Sequence, residues 1–497
     1  MLCSSFPWLT SLIFLPMAGA FLLALLQSRK VCRKNISYVA VATSGVTFLY
    51  AVILFFGGDF SSGSFQFMEN RVWIPSLRID YSIGVDGVAI LFVLLSTFLS
   101  FLALCASINK VTRWLEAYCI SFLVLETFIL GTFCAMDLFL FYIFFEGVLV
   151  PMFFIIGIWG GKNRIYANWK FFLYTLFGSL MMLIGIIYLY LIFGTSSIQQ
   201  LYEQRIALDK QWWLWLAFFF SFAIKLPIFP FHTWLPDAHV EAPMAGSILL
   251  AGILLKMGGY GFFRISIPIF PEASLYFSTL VFILSCFSVI YASMVAFVQK
   301  DIKKLIAYSS VAHMGFASAG LFTFTTYGVQ GALFQMISHG LISAAIFMGI
   351  GFLYDRMQTR EIDAYGGVAK VVPVFSVLMM IFILGSIGFP GTSGFVGEFL
   401  VLLGAYKISI FLSFVLGVGI ILSAAYGLLF YRKIFLGTVG GNCRSLKSFT
   451  YTEKVLLITI AFFVVGIGIF PQKVLDLTAP SVERILDKVT RKTIKGF

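Results

Sequence analysis

Apolar runs of about twenty residues recur along nearly the whole of this 497-residue chain, and few folds tolerate that. A helix needs roughly 20 apolar residues to cross the ~30 Å hydrocarbon core of a bilayer. By that measure about fourteen spans can be drawn, near 7–27, 36–57, 85–108, 114–134, 137–158, 168–194, 211–226, 245–266, 274–299, 303–324, 327–354, 372–402, 408–430 and 453–471. Backbone in lipid must satisfy its own hydrogen bonds. Long Leu, Ile and Phe runs do so as helices, whereas membrane barrels need ten-residue alternating segments. The expected fold class is all-α, a polytopic membrane protein of about fourteen transmembrane helices. Composition agrees: 60% of residues are hydrophobic and 11% charged, against roughly 25% charged in ordinary soluble domains.

The formal net charge of +12 does not imply nucleic acid, because the basic residues fall in short loops between spans. Taking alternate loops, nineteen lysines and arginines lie on one side, among them Arg29, Lys30, Lys162, Lys303, Arg360 and Lys454. Six lie on the other: Arg71, Arg78, Arg205, Lys210, Arg264 and Lys407. Positive charge is retained on the cytoplasmic or matrix side, which puts both chain ends on the opposite face. The basic tail (Arg484, Lys488, Arg491, Lys492, Lys495) then sits on the less favoured side. Its apolar period, Val482, Ile485, Leu486 and Val489, reads as a short interfacial helix. The first span lacks a basic leader and is expected to be retained.

The seven cysteines (Cys3, Cys32, Cys105, Cys119, Cys134, Cys286, Cys443) show no CxxC or Cys/His spacing for metal and read as small hydrophobes. There is no Walker loop, no GxGxxG after a strand, and no haem or iron–sulfur motif. The chain itself is expected to carry no redox cofactor.

Ionisable residues inside the spans need a different explanation. Glu126, Glu146, Lys225, Lys256 and Glu398 all fall within apolar runs. At ~2.5–3.5 kcal/mol each, these five would cost on the order of 15 kcal/mol unless paired or hydrated. Glu146 and Lys225 suit a pair whose proton occupancy changes with conformation, since burial favours the neutral forms and proximity the ion pair. The alternative is a static pair holding helices together. Lys256 has no acid at i±3 or i±4 and suits a central relay. Histidine as a residue type suits a proton relay, so His313 and His339 are relay groups or ordinary core histidines. His232 and His239 lie at a Pro-rich break (230–243, PFHTWLPDAHVEAP) and are relay or loop structure. Glu126 and Lys170 tune the pair or anchor helices. Asp86, Asp137, Asp237, Glu241 and Arg264 stand near span ends, where capping or solvated roles are the expectation.

Two segments interrupt their spans: 224–230 (IKLPIFP) and 385–394 (GSIGFPGTSG), the latter followed by Glu398. Paired breaks of this kind mark inverted repeats in transporters, with the ion handled near the break. The expected organisation is helices 1–3 over residues 1–112, a first five-helix repeat over 113–270, a second over 271–437, and a final helix with basic tail over 438–497. Further local distortion, as π-turns, is expected near Gly131 or Gly340.

The motifs 137–146 (DLFLFYIFFE), 225–243, 254–261 (LKMGGYG preceded by Leu254), 303–315 (KKLIAYSSVAHMG) and 388–399 (GFPGTSGFVGEF) are long and specific. Through them nearly the whole chain resembles the antiporter-like membrane subunits of respiratory complex I, the proton-pumping NADH:quinone oxidoreductase, and within them the M-type or chain 4 branch. The resemblance implies two inverted repeats, each giving half a channel. It also implies pumping roles for the positions matched by Glu146, Lys225, Lys256 and Glu398, with histidines on a hydrated axis. NADH, FMN, iron–sulfur clusters and quinone are then expected in partner subunits, with other membrane-arm subunits and lipids as partners and no nucleic acid. The location implied is an energy-transducing inner membrane, bacterial or mitochondrial. The L-type branch carries a long lateral C-terminal helix, and no such extension is expected past Ile469. Three other readings remain open: a cation/proton antiporter, a subunit of a related membrane-bound hydrogenase or plastid-type complex, and a structural anchor whose buried charges are static locks.

Overall fold

A computed structural model describes residues 6–28, 33–77, 79–440, 443–444 and 446–494. Cys3, Arg29, Lys30, Cys32, Arg78 and Lys495 lie outside the described residues. Eleven helices among those described are long and apolar enough to cross a membrane, so this is a membrane protein of helical class. Two further expected spans are less apolar helices, Leu208–Lys225 and Ile302–Leu321. The expected span 372–402 divides into Pro373–Ser386 and Ser393–Ile408.

The chain forms two compact units. The first comprises Met1–Lys225, Lys256–Ser278 and Asp476–Phe497; the second comprises Leu226–Leu255 and Thr279–Leu475. In the first unit, Trp8–Ser28 and Arg33–Gly57 precede an antiparallel hairpin of Gln66–Ile74 and Ile79–Val85. The sequence reading had no strands, because a single half-polar hairpin is drowned by the helical runs around it. Glu69 on this hairpin accepts the backbone N–H groups of Leu9 at 2.7 Å and Thr10 at 3.1 Å, which satisfies donors that a first helical turn leaves open. The unit continues through Gly87–Ser107, Leu115–Cys134, Leu138–Gly147, Leu149–Trp159, Arg164–Phe193 and Leu208–Lys225.

Side-chain caps set several helix starts. Asp86 accepts from Ala89 N at 2.9 Å and Asp137 accepts from Phe139 N and Leu140 N, the capping roles expected of them. Neither carboxylate is solvated: both are buried. In the second unit, Asp301 caps Ile302–Leu321, Thr325 caps Thr326–Met357, and a Thr450/Glu453 capping box opens Tyr451–Ile469.

The glycine positions expected to carry π-turns are passed as regular α-helix, and a Cβ at Gly131 would run into the Phe144 ring. That glycine serves close packing. The π-turns lie instead at Leu250–Leu254 and Phe262–Ser266, on either side of the α-helical Leu255–Gly261. Of the described cysteines, all five are unbridged and none is exposed.

The tail is helical over Gln472–Ile494, longer than the short helix read from its last apolar positions. Within the first unit Arg484, Lys488 and Lys492 recur every fourth residue on one face. They reach Gly63 O at 3.3 Å, Glu203 Oε1 at 2.6 Å and Gln204 O at 3.0 Å. The Lys488 hydrogen bond holds the Glu203 carboxyl below its usual range. A depressed carboxylate stabilises the fold above its unfolded pKa of about 4.3 and loses that contribution as pH falls through the folded value. Because Glu203 is mostly exposed, the effect is at most about 1 kcal/mol and salt-sensitive. Protection from hydrogen exchange over residues 484–494 is expected to fall as pH drops through the lowered Glu203 value and in the Glu203→Gln protein at neutral pH. Exchange indifferent to both would show that the ladder does not anchor the tail.

Candidate functional site

Several of the side chains expected to handle charge stand beside places where proline or glycine stops a helix. Leu208–Lys225 ends because Pro227 disfavours helical geometry at Leu226 and Pro230 follows; residues 226–233 form turns before Trp234–Glu241. Lys225 is therefore the last residue of its helix, where the C-terminal carbonyls favour a cation. Its ammonium stands 4.8 Å from the centre of the Phe145 ring and is 98% shielded as a residue (2% exposed). Glu146, next to Phe145, precedes a second interruption at Val148. Pro151 supplies no N–H and its ring crowds the Gly147 carbonyl four residues back. Neither Glu146 carboxylate oxygen nor the Lys225 ammonium makes a hydrogen bond of ordinary geometry among the described residues. The Lys225 charge and the Ser179 hydroxyl are close enough to act on Glu146 electrostatically. A buried acid and base that approach without locking together can change proton occupancy at modest cost.

Lys256 belongs to the same unit. It is fully buried (0% exposed) on the one α-helical stretch between the two π-turns, a distortion frequent at functional positions. Glu126 is also fully buried and accepts a hydrogen bond from Ser44 Oγ at 3.0 Å. Removing that donor by Ser44→Ala should cost about 1–3 kcal/mol. A lower thermal midpoint in detergent would register it; an unchanged midpoint would show that Glu126 does not depend on the bond. Lys170 is half-buried, 5.6 Å above the Tyr166 ring.

In the second unit the break at residues 387–392 brings four polar side chains together. Gly388 takes φ +71° and Gly391 φ +90°, conformations that favour glycine, and a Cβ at Gly388 would press on Glu398 Oε2. Glu398 Oε1 lies 2.9 Å from His313 Nδ1 and 3.1 Å from Gln335 Nε2. His313 Nε2 lies 3.2 Å from Ser386 Oγ, and the His313 and His339 ring centres are 5.5 Å apart. A cavity beside these groups, lined by Ser309, His313, Gln335, His339, Ser343 and Ser386, has about 10 Å³ of water-sized space, room for roughly one water. His239 stacks on Phe347 with ring centres 4.6 Å apart, and His232 packs among Phe229, Tyr291 and Tyr308.

Sequence reasoning missed several participants. Gln335 lies four residues before His339 on one helix, so i,i+4 spacing could have found it. Ser386 carried no signal. Lys303, counted as a loop cation, is buried and donates to Ala242 O at 2.7 Å. Arg360 donates to Val240 O and pairs with Asp301 at 3.2 Å. Arg264, also assigned to a loop, is buried and bonded to Asp86 at 2.6 Å. An arginine eight residues past a buried lysine is invisible as a pair partner until the fold supplies Asp86.

Helices interrupted in the membrane with ionisable side chains buried beside the interruptions define a class, the membrane proteins that pass ions or protons through broken helices. The profile of the family described as "NADH:quinone oxidoreductase/Mrp antiporter, TM" matches residues 135–423. The chain belongs to that family. It is 45% identical over 97% of its length, and 99% of the relative's, to NADH-quinone oxidoreductase subunit M of Rickettsia conorii. It is 42% identical over 96% of its length, and 97% of the relative's, to NADH-ubiquinone oxidoreductase chain 4 of Marchantia polymorpha. Among solved structures, a chain of respiratory complex I from Thermus thermophilus with bound NADH is similar, with TM-score 0.88 and 32% identity over 97% of this chain and 99% of that one. A chain of the Mrp complex from Dietzia sp. shares the fold at TM-score 0.85 and 20% identity, covering 98% and 99%.

Proposed function

We propose that the chain is a proton-translocating membrane subunit of an NADH:quinone oxidoreductase, seated in an energy-transducing inner membrane beside other antiporter-like subunits. NADH oxidation, FMN, iron–sulfur clusters and quinone belong to partner subunits, and this chain carries no redox centre. The observation that supports the reading is the set of ionisable groups shielded at helix interruptions: half-buried Glu146, whose carboxylate oxygens are buried, in the same unit as buried Lys225, and Glu398 with His313 and Gln335.

In this mechanism quinone reduction elsewhere perturbs the Glu146/Lys225 pair through electrostatics and hydration. Low-dielectric surroundings strengthen Coulomb terms enough for such coupling. Lys225 exchanges a proton with Lys256; His313 and His339 extend the hydrated route; Glu398 releases the proton on the far side. His232, His239, Glu126 and Lys170 have tuning or structural parts. The two repeats, over 113–270 and 271–437, each contribute half of the route.

Purification in mild detergent with partners identified by mass spectrometry tests the assignment. Co-isolation with a peripheral NADH-oxidising arm supports it. Isolation with hydrogenase subunits, or sodium-dependent proton exchange by the chain apart from such an arm, overturns it.

A further inference from the structure

Tyr260 follows Lys256 by four residues on the α-helical stretch, so the two side chains share a face, and Arg264, in the π-turn that follows, bonds back to Tyr260 Oη at 3.2 Å. Beyond Arg264 lies a cavity of about 210 Å³ whose lining includes Phe65, Asp86, Tyr202, Glu203, Arg484 and Lys488. A proton held at Lys256 therefore stands two helical turns from a space with room for several waters. A pump that left that route open would short-circuit.

We propose that the Arg264 guanidinium, held by Asp86 and Tyr260, is a proton seal between Lys256 and this cavity. The inference rests on the reading of Lys256 as a proton-carrying group. Three features support it. First, a guanidinium does not give up its proton in proteins, so it cannot relay one, and a fixed cation in a narrow passage raises the energy of any hydronium approaching it. Second, the guanidinium is held and the two tyrosine hydroxyls beside it are committed. Arg264 Nη2 donates to Asp86 Oδ1 at 2.6 Å and Nε donates to Tyr260 Oη at 3.2 Å; Tyr260 Oη donates to the Phe133 carbonyl at 2.9 Å; Tyr202 Oη donates to the Arg264 carbonyl. Neither tyrosine hydroxyl is free to turn toward a hopping proton. Third, the surroundings on the Lys256 side of Arg264 are aromatic. Phe92 stacks on Phe133 at 5.2 Å, and Tyr260 meets Phe133 edge-on at 5.1 Å and Phe92 at 5.9 Å. Asp86 is itself fixed, since it caps Gly87–Ser107 through Ala89 N.

The seal is testable without turnover. The whole complex is reconstituted in proteoliposomes, a potassium diffusion potential is imposed with no NADH present, and internal pH is followed with a trapped dye. The double variant Arg264→Gln/Asp86→Asn removes the charge without stranding a buried carboxylate; its passive proton flux should rise at least tenfold. Adding Lys256→Leu to the leaking protein should close it again. A tight double variant, or a leak that persists without Lys256, would overturn the seal. Should the double variant assemble poorly, Arg264→Gln alone supplies a second test. Its passive proton flux should also rise at least tenfold; a tight Arg264→Gln protein refutes the idea. Failure of the pumping assignment is read separately, from NADH-driven proton uptake by the Lys256→Leu protein with Arg264 intact.

Discussion

Alanine at Glu146 or at Lys225 is expected to abolish most proton pumping and quinone-linked turnover while the complex still assembles. The two side chains sit in the same unit, each at the end of a helix that proline cuts short, and neither is satisfied by a hydrogen bond among the described residues. Such a pair is a poor structural lock. A buried ion pair that stabilises a fold has close geometry and further hydrogen bonds for its remaining lone pairs and protons; this one has an aromatic ring 4.8 Å from the ammonium instead. If the pair were nonetheless a lock, losing one partner would strand a buried charge at about 3–5 kcal/mol, and the damage would appear as lost assembly. The measurement is NADH-driven acidification in membrane vesicles, normalised to assembled complex on native gels. Normal pumping per assembled complex in either variant rejects the assignment. Reduced assembly with unaltered pumping per complex identifies the static lock.

Gly394→Val should be the most damaging substitution for folding. Gly394 opens the helix Ser393–Ile408, and a Cβ there would collide with the Gly385 carbonyl of Pro373–Ser386. The obstacle is backbone, which cannot rotate aside. Overpacking typically costs 1–3 kcal/mol, and a branched side chain against a carbonyl belongs at about 3 kcal/mol or above. Because the displaced helix carries Glu398, its contacts to His313 and Gln335 would be lost with it. Gly417→Ala is the control: nothing lies within 4 Å of a Cβ there, and alanine gains up to about 1 kcal/mol of helix propensity. The thermal midpoint in detergent should fall sharply for Gly394→Val and hold or rise for Gly417→Ala. Equal losses at both positions would mean that close approach of the two half-helices is not what the glycine serves.

Much of this was legible in one dimension because membrane burial imposes a simple rule. Each apolar run must become a helix, a proline inside a run is where it can break, and each charge inside a run must be accounted for. Lys225, Lys256, Glu146 and Glu398 stand out on that rule alone. The hairpin at Gln66–Ile74 and Ile79–Val85 escaped, since half-polar strands between long spans carry a weak pattern. The tail helix was read short because Gln472, Lys473 and Asp476 mask the start of its apolar period. Loop assignments of Arg264 and Lys303 failed for one reason: hydropathy marks where a span ends and says nothing of a neighbouring helix that buries the residue beyond it.

The order of residues determined the class of fold, the places where helices break, and the titratable side chains left inside the hydrocarbon. Only the tertiary structure decided the partners: Glu398 with His313 and Gln335, Glu126 with Ser44, Arg264 with Asp86. The physical reason is range. Periodicity and proline act over a few residues of chain, whereas the acid and base that share a buried charge here are separated by 85 and 178 positions and meet only after the helices have packed.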